Sequence, residues 1–170
     1  MKHYLIDMDD TLYLHRGKLD YDSIQEDKRL TYFCRECPHL KYIYTNATFA
    51  HADILLQKMK LSDQFVKIYS RDDTIRNIGD TGFIYSMKPN IDSAISVERS
   101  INQKHKNEPN KFYFFDDLLE NLETGKKRKW ITIWISPIFQ DKNRYTFVDY
   151  SFPNMKIALD YFNKGNNING

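Results

Sequence analysis

The stretch Tyr4-Leu5-Ile6-Asp7-Met8-Asp9-Asp10-Thr11-Leu12-Tyr13 decides how this chain is read. An apolar run with strand character ends in Asp-x-Asp-x-Thr. Strand side chains alternate between faces, so Asp7 and Asp9 leave a strand Tyr4–Asp7 on the same side. Two carboxylates that close repel each other and persist most easily when a cation or a shared proton compensates them. One reading is a Mg²⁺-dependent phosphoryl-transfer site; the other is a solvated acidic turn. Partner residues at later strand ends would decide between them.

Working outward, further apolar runs occur at Tyr42–Thr45, Phe65–Tyr69, Phe83–Tyr85, Lys111–Phe115, Trp130–Ile135 and Phe147–Tyr150. Stretches of helical spacing lie between them. Ser23-Ile24-Gln25-Glu26 has the form of a capping box that opens a helix toward Cys37. Phe49–Lys60 places Ala52, Leu55, Leu56 and Met59 on one face. Asp92–Lys104 starts beyond Pro89. Leu118–Gly125 is predicted as a short helix ended by glycine, and Asn154–Phe162 as the last one. Strands alternating with helices imply right-handed βαβ units. The predicted fold is α/β, a Rossmann-like three-layer αβα sandwich around a mostly parallel sheet, whose working site lies at the carboxyl ends of the strands.

The chain has 170 residues, 41% of them hydrophobic and 15% aromatic, with a formal charge of +2. This fits a single catalytic domain over 1–164 with a disordered tail at 165–170. No apolar run reaches the length of a membrane span, and the first acid comes too early for a signal-peptide core. Two cysteines give no disulfide framework, which suits a reducing cytoplasm. The near-balanced charge gives no strong field toward nucleic acid or membrane.

Four strand ends carry suitable groups. Asp7 and Asp9 follow the first. Thr45-Asn46 follows Tyr42-Ile43-Tyr44 and offers a hydroxyl and backbone N–H groups near a helix start, which favours anions. Lys88 comes after Phe83–Tyr85 and before a helix. Asp116-Asp117 ends the aromatic strand Phe112-Tyr113-Phe114-Phe115. Each alone has a bland reading, as helix cap, solvated loop or dipole partner. Their order, each after a hydrophobic strand, makes a specific constellation.

That constellation resembles the haloacid dehalogenase (HAD) superfamily of phosphohydrolases. The four motifs span Asp7 to Asp117, and the resemblance continues through Asn121 and Gly125 to about Ser151. Within the superfamily the chain is most similar to pyrimidine 5′-nucleotidase-like members, through Asp-Met-Asp-Asp-Thr-Leu-Tyr (7–13), Tyr-Thr-Asn-Ala-Thr-Phe-Ala-His-Ala (44–52), Lys88-Pro89 and Phe-Asp-Asp-Leu-Leu-Glu-Asn-Leu-Glu-Thr-Gly (115–125). The resemblance implies a phosphatase in which Asp7 is the nucleophile and Asp9 the general acid and base. Thr45 and Asn46, with Asp7 and Lys88, would bind the phosphoryl group, and Lys88 would offset its charge. It further implies Mg²⁺ as cofactor, held by the Asp7 carboxylate, the Asp9 main-chain carbonyl and the Asp116 carboxylate, with Asp117 helping. Thr11, Asn46 and Asn121 would orient these groups.

The chain departs from the family in one respect. Nucleotidase-like relatives insert a helical cap between the first two motifs. Here the interval from Asp9 to Thr45 holds one loop and one helix, and the interval from Thr45 to Lys88 is filled by a helix and two short strands. A cap excludes water and reads the substrate, so its absence leaves the substrate open. The expected substrate is a phosphorylated small molecule such as a nucleoside monophosphate. The alternatives are a phosphoprotein or nucleic-acid phosphate end, or a non-catalytic binding role. The last is disfavoured because Asp7, Asp9, Lys88 and Asp116 are all present. Leu14–Asp22, with His15, Arg16 and Lys18, reads equally as a basic flap over the site or as a solvated loop, and a homodimer partner could cover it instead. Cys34-Arg35-Glu36-Cys37 reads as two ordinary thiols because no second ligand pair exists. Lys126-Lys127-Arg128-Lys129 reads as a solvated turn. Twelve Tyr and eleven Phe without one shared face read as packing, not as a base-stacking platform.

Overall fold

A computed structural model describes residues 1–14, 23–77, 83–85 and 87–165. Six parallel strands form one sheet in the order β3-β2-β1-β6-β7-β8. They are β1 (Lys2–Ile6), β2 (Leu40–Tyr44), β3 (Lys67–Tyr69), β6 (Lys111–Asp116), β7 (Ile131–Ile135) and β8 (Tyr150–Phe152). A second, two-stranded piece pairs β4 (Ile75–Asn77) with β5 (Phe83–Tyr85) in antiparallel fashion. The helices are α1 (Lys28–Glu36), α2 (Phe49–Lys58), α3 (Ile91–Lys104), α4 (Leu119–Lys127) and α5 (Met155–Asn163).

The central strands β1 and β6 are buried on both faces, which explains their nearly unbroken apolar sequence. Tyr4, Ile6, Tyr113 and Phe115 face the layer built by α1, α2 and α5. Leu5, Phe112 and Phe114 face α3 and α4, where Trp130, Val97 and Leu122 complete the packing. The register Ile6↔Phe115 and Ile6↔Ile43 brings the ends of β1, β2 and β6 to one edge. The doubly wound αβα arrangement predicted from sequence is the observed fold.

Several local expectations change. The Ser23 capping box is not the start of α1. Asp27 is the cap, accepting from the backbone N–H groups of Arg29 and Leu30 at 3.0 and 3.1 Å. A carboxylate there also meets the positive helix end, and it binds Lys156 of α5 at 2.7 Å. Gly125 does not end α4 but sits inside it, because a Cβ there would lie 2.9 Å from Phe114 Cδ1. The helix ends instead in a Schellman motif: Trp130 N–H donates to Gly125 O at 3.1 Å and Lys129 N–H to Lys126 O at 2.8 Å. Lys129 takes the left-handed conformation this requires, with φ of 61°.

The last strand begins at Tyr150, not Phe147. Tyr145, Phe147 and Val148 are apolar because they cover the α3–α4 face of the sheet, not because they belong to the ladder. Strand Phe83–Tyr85 exists but lies outside the parallel sheet, and its partner Ile75–Asn77 was not predicted. The expected flap residues 15–22 and most of the expected tail, 166–170, lie outside the described residues. No described helix is long and apolar enough to cross a membrane.

Candidate functional site

Asp7 lies one residue beyond β1, and its N–H still donates to Phe115 O at 2.9 Å, so the sheet fixes its backbone. Asp116 is the last residue of the neighbouring β6 and is fully buried. Between them stands Lys88. Its Nζ donates to Asp7 Oδ1 at 2.5 Å and to Asp116 Oδ2 at 2.7 Å, with the lysine side chain only 3% exposed. The rings of Tyr44 and Phe114 lie 5.2 and 5.6 Å from the ammonium, within cation–π range.

Lys88 does not come from a strand of the main sheet, so the placement rule holds for it only in part. Its position is fixed from three sides. Asn46, just beyond β2, donates from Nδ2 to Lys88 O at 2.9 Å and accepts at Oδ1 from Lys88 N–H at 3.0 Å. Thr124 of α4 donates to Pro89 O at 2.7 Å. Asn90 caps α3 by accepting from Asp92 N–H at 2.9 Å. Asn46 therefore grips the lysine backbone with both ends of its amide. Thr45 is buried at the same sheet edge, with its hydroxyl accepting from Ala47 N–H at 3.1 Å.

The motif after β6 is equally well held. Asn121 Nδ2 donates to both Asp116 oxygens, at 2.9 and 3.1 Å, and Leu118 N–H donates to Asp116 Oδ1 at 2.9 Å. Thr11 Oγ1 donates to Asp117 Oδ1 at 3.3 Å, and Trp134 Nε1 donates to the Asp117 carbonyl at 2.9 Å. Asp9 turns elsewhere. Its Oδ1 accepts a hydrogen bond from the Tyr13 hydroxyl and lies 3.9 Å from His51 Nε2. Tyr13, His51, Thr124 and Trp134 were not singled out in the sequence. The first three lie inside the motif segments 7–13, 44–52 and 115–125, and nothing in their spacing shows whom they meet.

The electrostatics are unbalanced. Asp7, Asp116 and Asp117 each bring a carboxylate oxygen within 4.8 Å of the others, against which the described residues set the one ammonium of Lys88. Burial pushes the Asp7 carboxyl above its ordinary range; Lys88 pulls it back and Asp116 pushes it up again. Asp117 is pushed up to about 6, first by burial and then by the charge of Asp116. Burial alone would lower Lys88, but Asp116 and Asp7 hold it above its usual value. One ammonium shared between two carboxylates explains why the lysine stays charged while the acids remain under-compensated. Hard oxygen donors with excess negative charge fit Mg²⁺, which takes carboxylate and water ligands. Among the described residues this is the one cluster of metal-ligand side chains.

The weaker sequence signals go elsewhere. Cys34 and Cys37 are buried free thiols, and burial raises Cys34 to about 12, so neither is poised to react. In the basic run, Lys126 pairs with Asp149 at 2.5 Å, Lys127 with Glu123 at 3.4 Å and Arg128 with Glu98 at 3.0 Å.

Comparison with solved structures identifies the fold. L-2-haloacid dehalogenase from Xanthobacter autotrophicus, with chloropropionic acid covalently bound, matches with a TM-score of 0.60 at 14% identity, over 84% of this chain and 62% of that one. The core domain of a Streptococcus pneumoniae TIGR4 protein provisionally named a phosphoglycolate phosphatase matches with a TM-score of 0.58 at 13% identity, over 95% of this chain and 94% of the domain. A Bacillus subtilis protein provisionally named as the HAD-hydrolase YfnB, bound to magnesium, matches with a TM-score of 0.55 at 15% identity, over 81% of this chain and 55% of that one. The chain spans about three-fifths of the dehalogenase but nearly all of the isolated core domain. No protein-family model and no curated protein sequence matches it.

Proposed function

We propose that this chain, whose fold is that of the HAD hydrolases, is a Mg²⁺-dependent phosphatase that hydrolyses phosphate monoesters. The observation that carries the reading is the trio Asp7–Lys88–Asp116, with Asp117 and Asp9 at the same sheet edge. Mg²⁺ would be held by Asp7, Asp116 and the Asp9 carbonyl, with Asp117 assisting. When bound, it supplies charge compensation for the carboxylates and the phosphoryl oxygens.

In this mechanism a carboxylate oxygen of Asp7 attacks phosphorus, and the P–O bond to the alcohol breaks. Asp9 gives its proton to the departing oxygen, leaving a phosphorylated Asp7. Asp9, now a carboxylate, takes a proton from water as the water attacks phosphorus, which releases phosphate and restores Asp7. Lys88 holds Asp7 in place and offsets charge on the transferring group. Thr45 and local N–H groups would receive the phosphoryl oxygens, while Asn46 keeps Lys88 in register.

Asp9 favours a phosphatase over a dehalogenase. Halide leaves as an anion and needs no proton, whereas an alkoxide does. The substrate is proposed as a small phosphate monoester, of nucleoside-monophosphate type. A macromolecular phosphate is the second reading, supported by the exposed apolar residues Phe49, Ile91 and Leu118 beside the motif residues.

The test is hydrolysis of p-nitrophenyl phosphate with Mg²⁺ and with EDTA, beside 2-chloropropionate as the dehalogenase substrate. Mg²⁺-dependent phosphate release, lost in Asp7→Asn, is expected. Chloride release without phosphatase activity would overturn the reading. A panel of nucleoside monophosphates, phosphopeptides and oligonucleotide ends then ranks the substrate classes.

A further inference from the structure

We propose that Tyr13, together with His51, is a positioning residue for Asp9, fixing the direction in which this acid delivers its proton. The proposal rests on the phosphatase reading above and adds to it the device that aims the acid. Asp9 stands apart from the buried trio: its side chain is 37% exposed, and an exposed aspartate has several staggered rotamers open to it. General-acid catalysis needs one of them, because the proton must lie within hydrogen-bond reach of the leaving oxygen.

Among the described residues, two neighbours from different elements approach it. Tyr13 lies in the turn that follows β1, where Leu12 and Tyr13 N–H groups both donate to Met8 O, at 3.0 and 3.3 Å. Backbone bridging between Asp9 and Tyr13 closes this turn, and Asp10 takes the left-handed conformation, φ 57°, that it requires. The Tyr13 ring packs against the α1–α2–α5 core, so its hydroxyl is presented from an anchored body. His51 approaches from the first turn of α2, itself fixed by Thr48, whose hydroxyl accepts from His51 N–H at 3.3 Å. The Tyr13 hydroxyl donates to Oδ1 of Asp9, and His51 Nε2 flanks the same oxygen at 3.9 Å. One carboxyl oxygen held by Tyr13 and flanked by His51 sets where the other points. It also ties the first motif's turn to the helix that follows Thr45, so the acid and the phosphate-binding edge keep a constant relation.

The prediction concerns leaving groups. p-Nitrophenolate departs well without a proton, whereas an alkoxide does not. A residue that aims the acid should therefore matter for alkyl phosphates and hardly at all for p-nitrophenyl phosphate. kcat/KM is the quantity to compare, since it reports the step in which the leaving group departs. For Tyr13→Phe the ratio of kcat/KM on glycerol phosphate to that on p-nitrophenyl phosphate should fall about tenfold, part of the total worth of general-acid catalysis. His51→Gln should lower it in the same direction by less, and melting curves of both variants report whether they fold. A parallel loss on both substrates, or an unchanged ratio in both folded variants, would refute the positioning role. If the wild-type protein with Mg²⁺ hydrolyses neither substrate, the phosphatase reading itself fails and this proposal with it. Wild-type activity with an unmoved ratio sinks only the positioning role.

Discussion

The two ends of the central sheet handle charge in opposite ways. At the carboxyl edge, Asp7, Asp116 and Asp117 crowd around one ammonium and stay under-compensated. At the amino edge, the cations at the end of α4 are matched by carboxylates: Arg128 binds Glu98 through two nitrogens at 3.1 and 3.0 Å, and Lys126 binds Asp149. Lys41 Nζ caps the carbonyls of Cys37 and His39 at 3.1 and 3.2 Å. At the amino edge these charged groups find their partners inside the chain. The carboxyl edge keeps an excess of negative charge that an external cation would offset. Functional sites are where such imbalance is tolerated.

The sharpest way to break this contrast is to remove one cation from each edge. Lys88→Met leaves two buried carboxylates facing each other, and denaturant unfolding should show a loss of about 3–5 kcal/mol. Lys126→Ala at the amino edge removes a partly exposed pair and should cost about 0–1 kcal/mol. Equal losses would mean that the carboxyl edge is not under strain from its charges. Next in size, Mg²⁺ should raise the melting temperature, because a ligand of the folded state alone stabilises it, by about 2.7 kcal/mol at a hundredfold excess over its Kd. Asp116→Asn should abolish that gain, whereas Lys126→Ala should leave it intact.

A smaller effect tests the packing that joins the edges. Gly125→Ala would put a Cβ 2.9 Å from Phe114 and 3.2 Å from Trp130. Overpacking of about 1–3 kcal/mol, offset by about 1 kcal/mol of helix propensity, predicts a net loss of about 1 kcal/mol in urea unfolding.

The smallest concerns His39 at the amino edge, held down to about pH 4 by burial and by the charges of Lys2 and Lys41. The unfolded imidazole protonates near 6.5, while the folded one resists. Its contribution is therefore complete above pH 6.5 and is lost as pH falls toward 4. Comparing wild type with His39→Asn, the decline in melting temperature across that window should be shallower in the variant.

Some parts of the molecule were legible in the sequence and others were not. Strands β1, β2 and β6 were legible because burial on both faces leaves no choice but apolar residues. Asp7, Thr45 and Asp116 were legible because each stands at the end of such a strand, whereas Lys88 follows a strand outside the main sheet. The end of α4 was not, because it uses a lysine in the left-handed position, Lys129 with φ 61°, where glycine is the usual signal. Strand β4 was missed because three residues with Arg76 in the middle carry no alternation to detect. The segment Phe147–Val148 misled because apolarity records burial, and burial does not distinguish a ladder from a cover.

The sequence by itself determined the α/β architecture and the order of the chemical groups along the chain, since hydrophobic period and strand-end position are local properties. Tertiary structure alone decided which groups meet. It gave Asn46 to the backbone of Lys88, Lys88 to both Asp7 and Asp116, Asn121 to Asp116, and Tyr13 with His51 to Asp9. These partnerships depend on sheet register and on the approach of separate helices. A hydrogen bond is fixed to a few tenths of an ångström by elements far apart in the chain, and residue spacing carries no record of that distance.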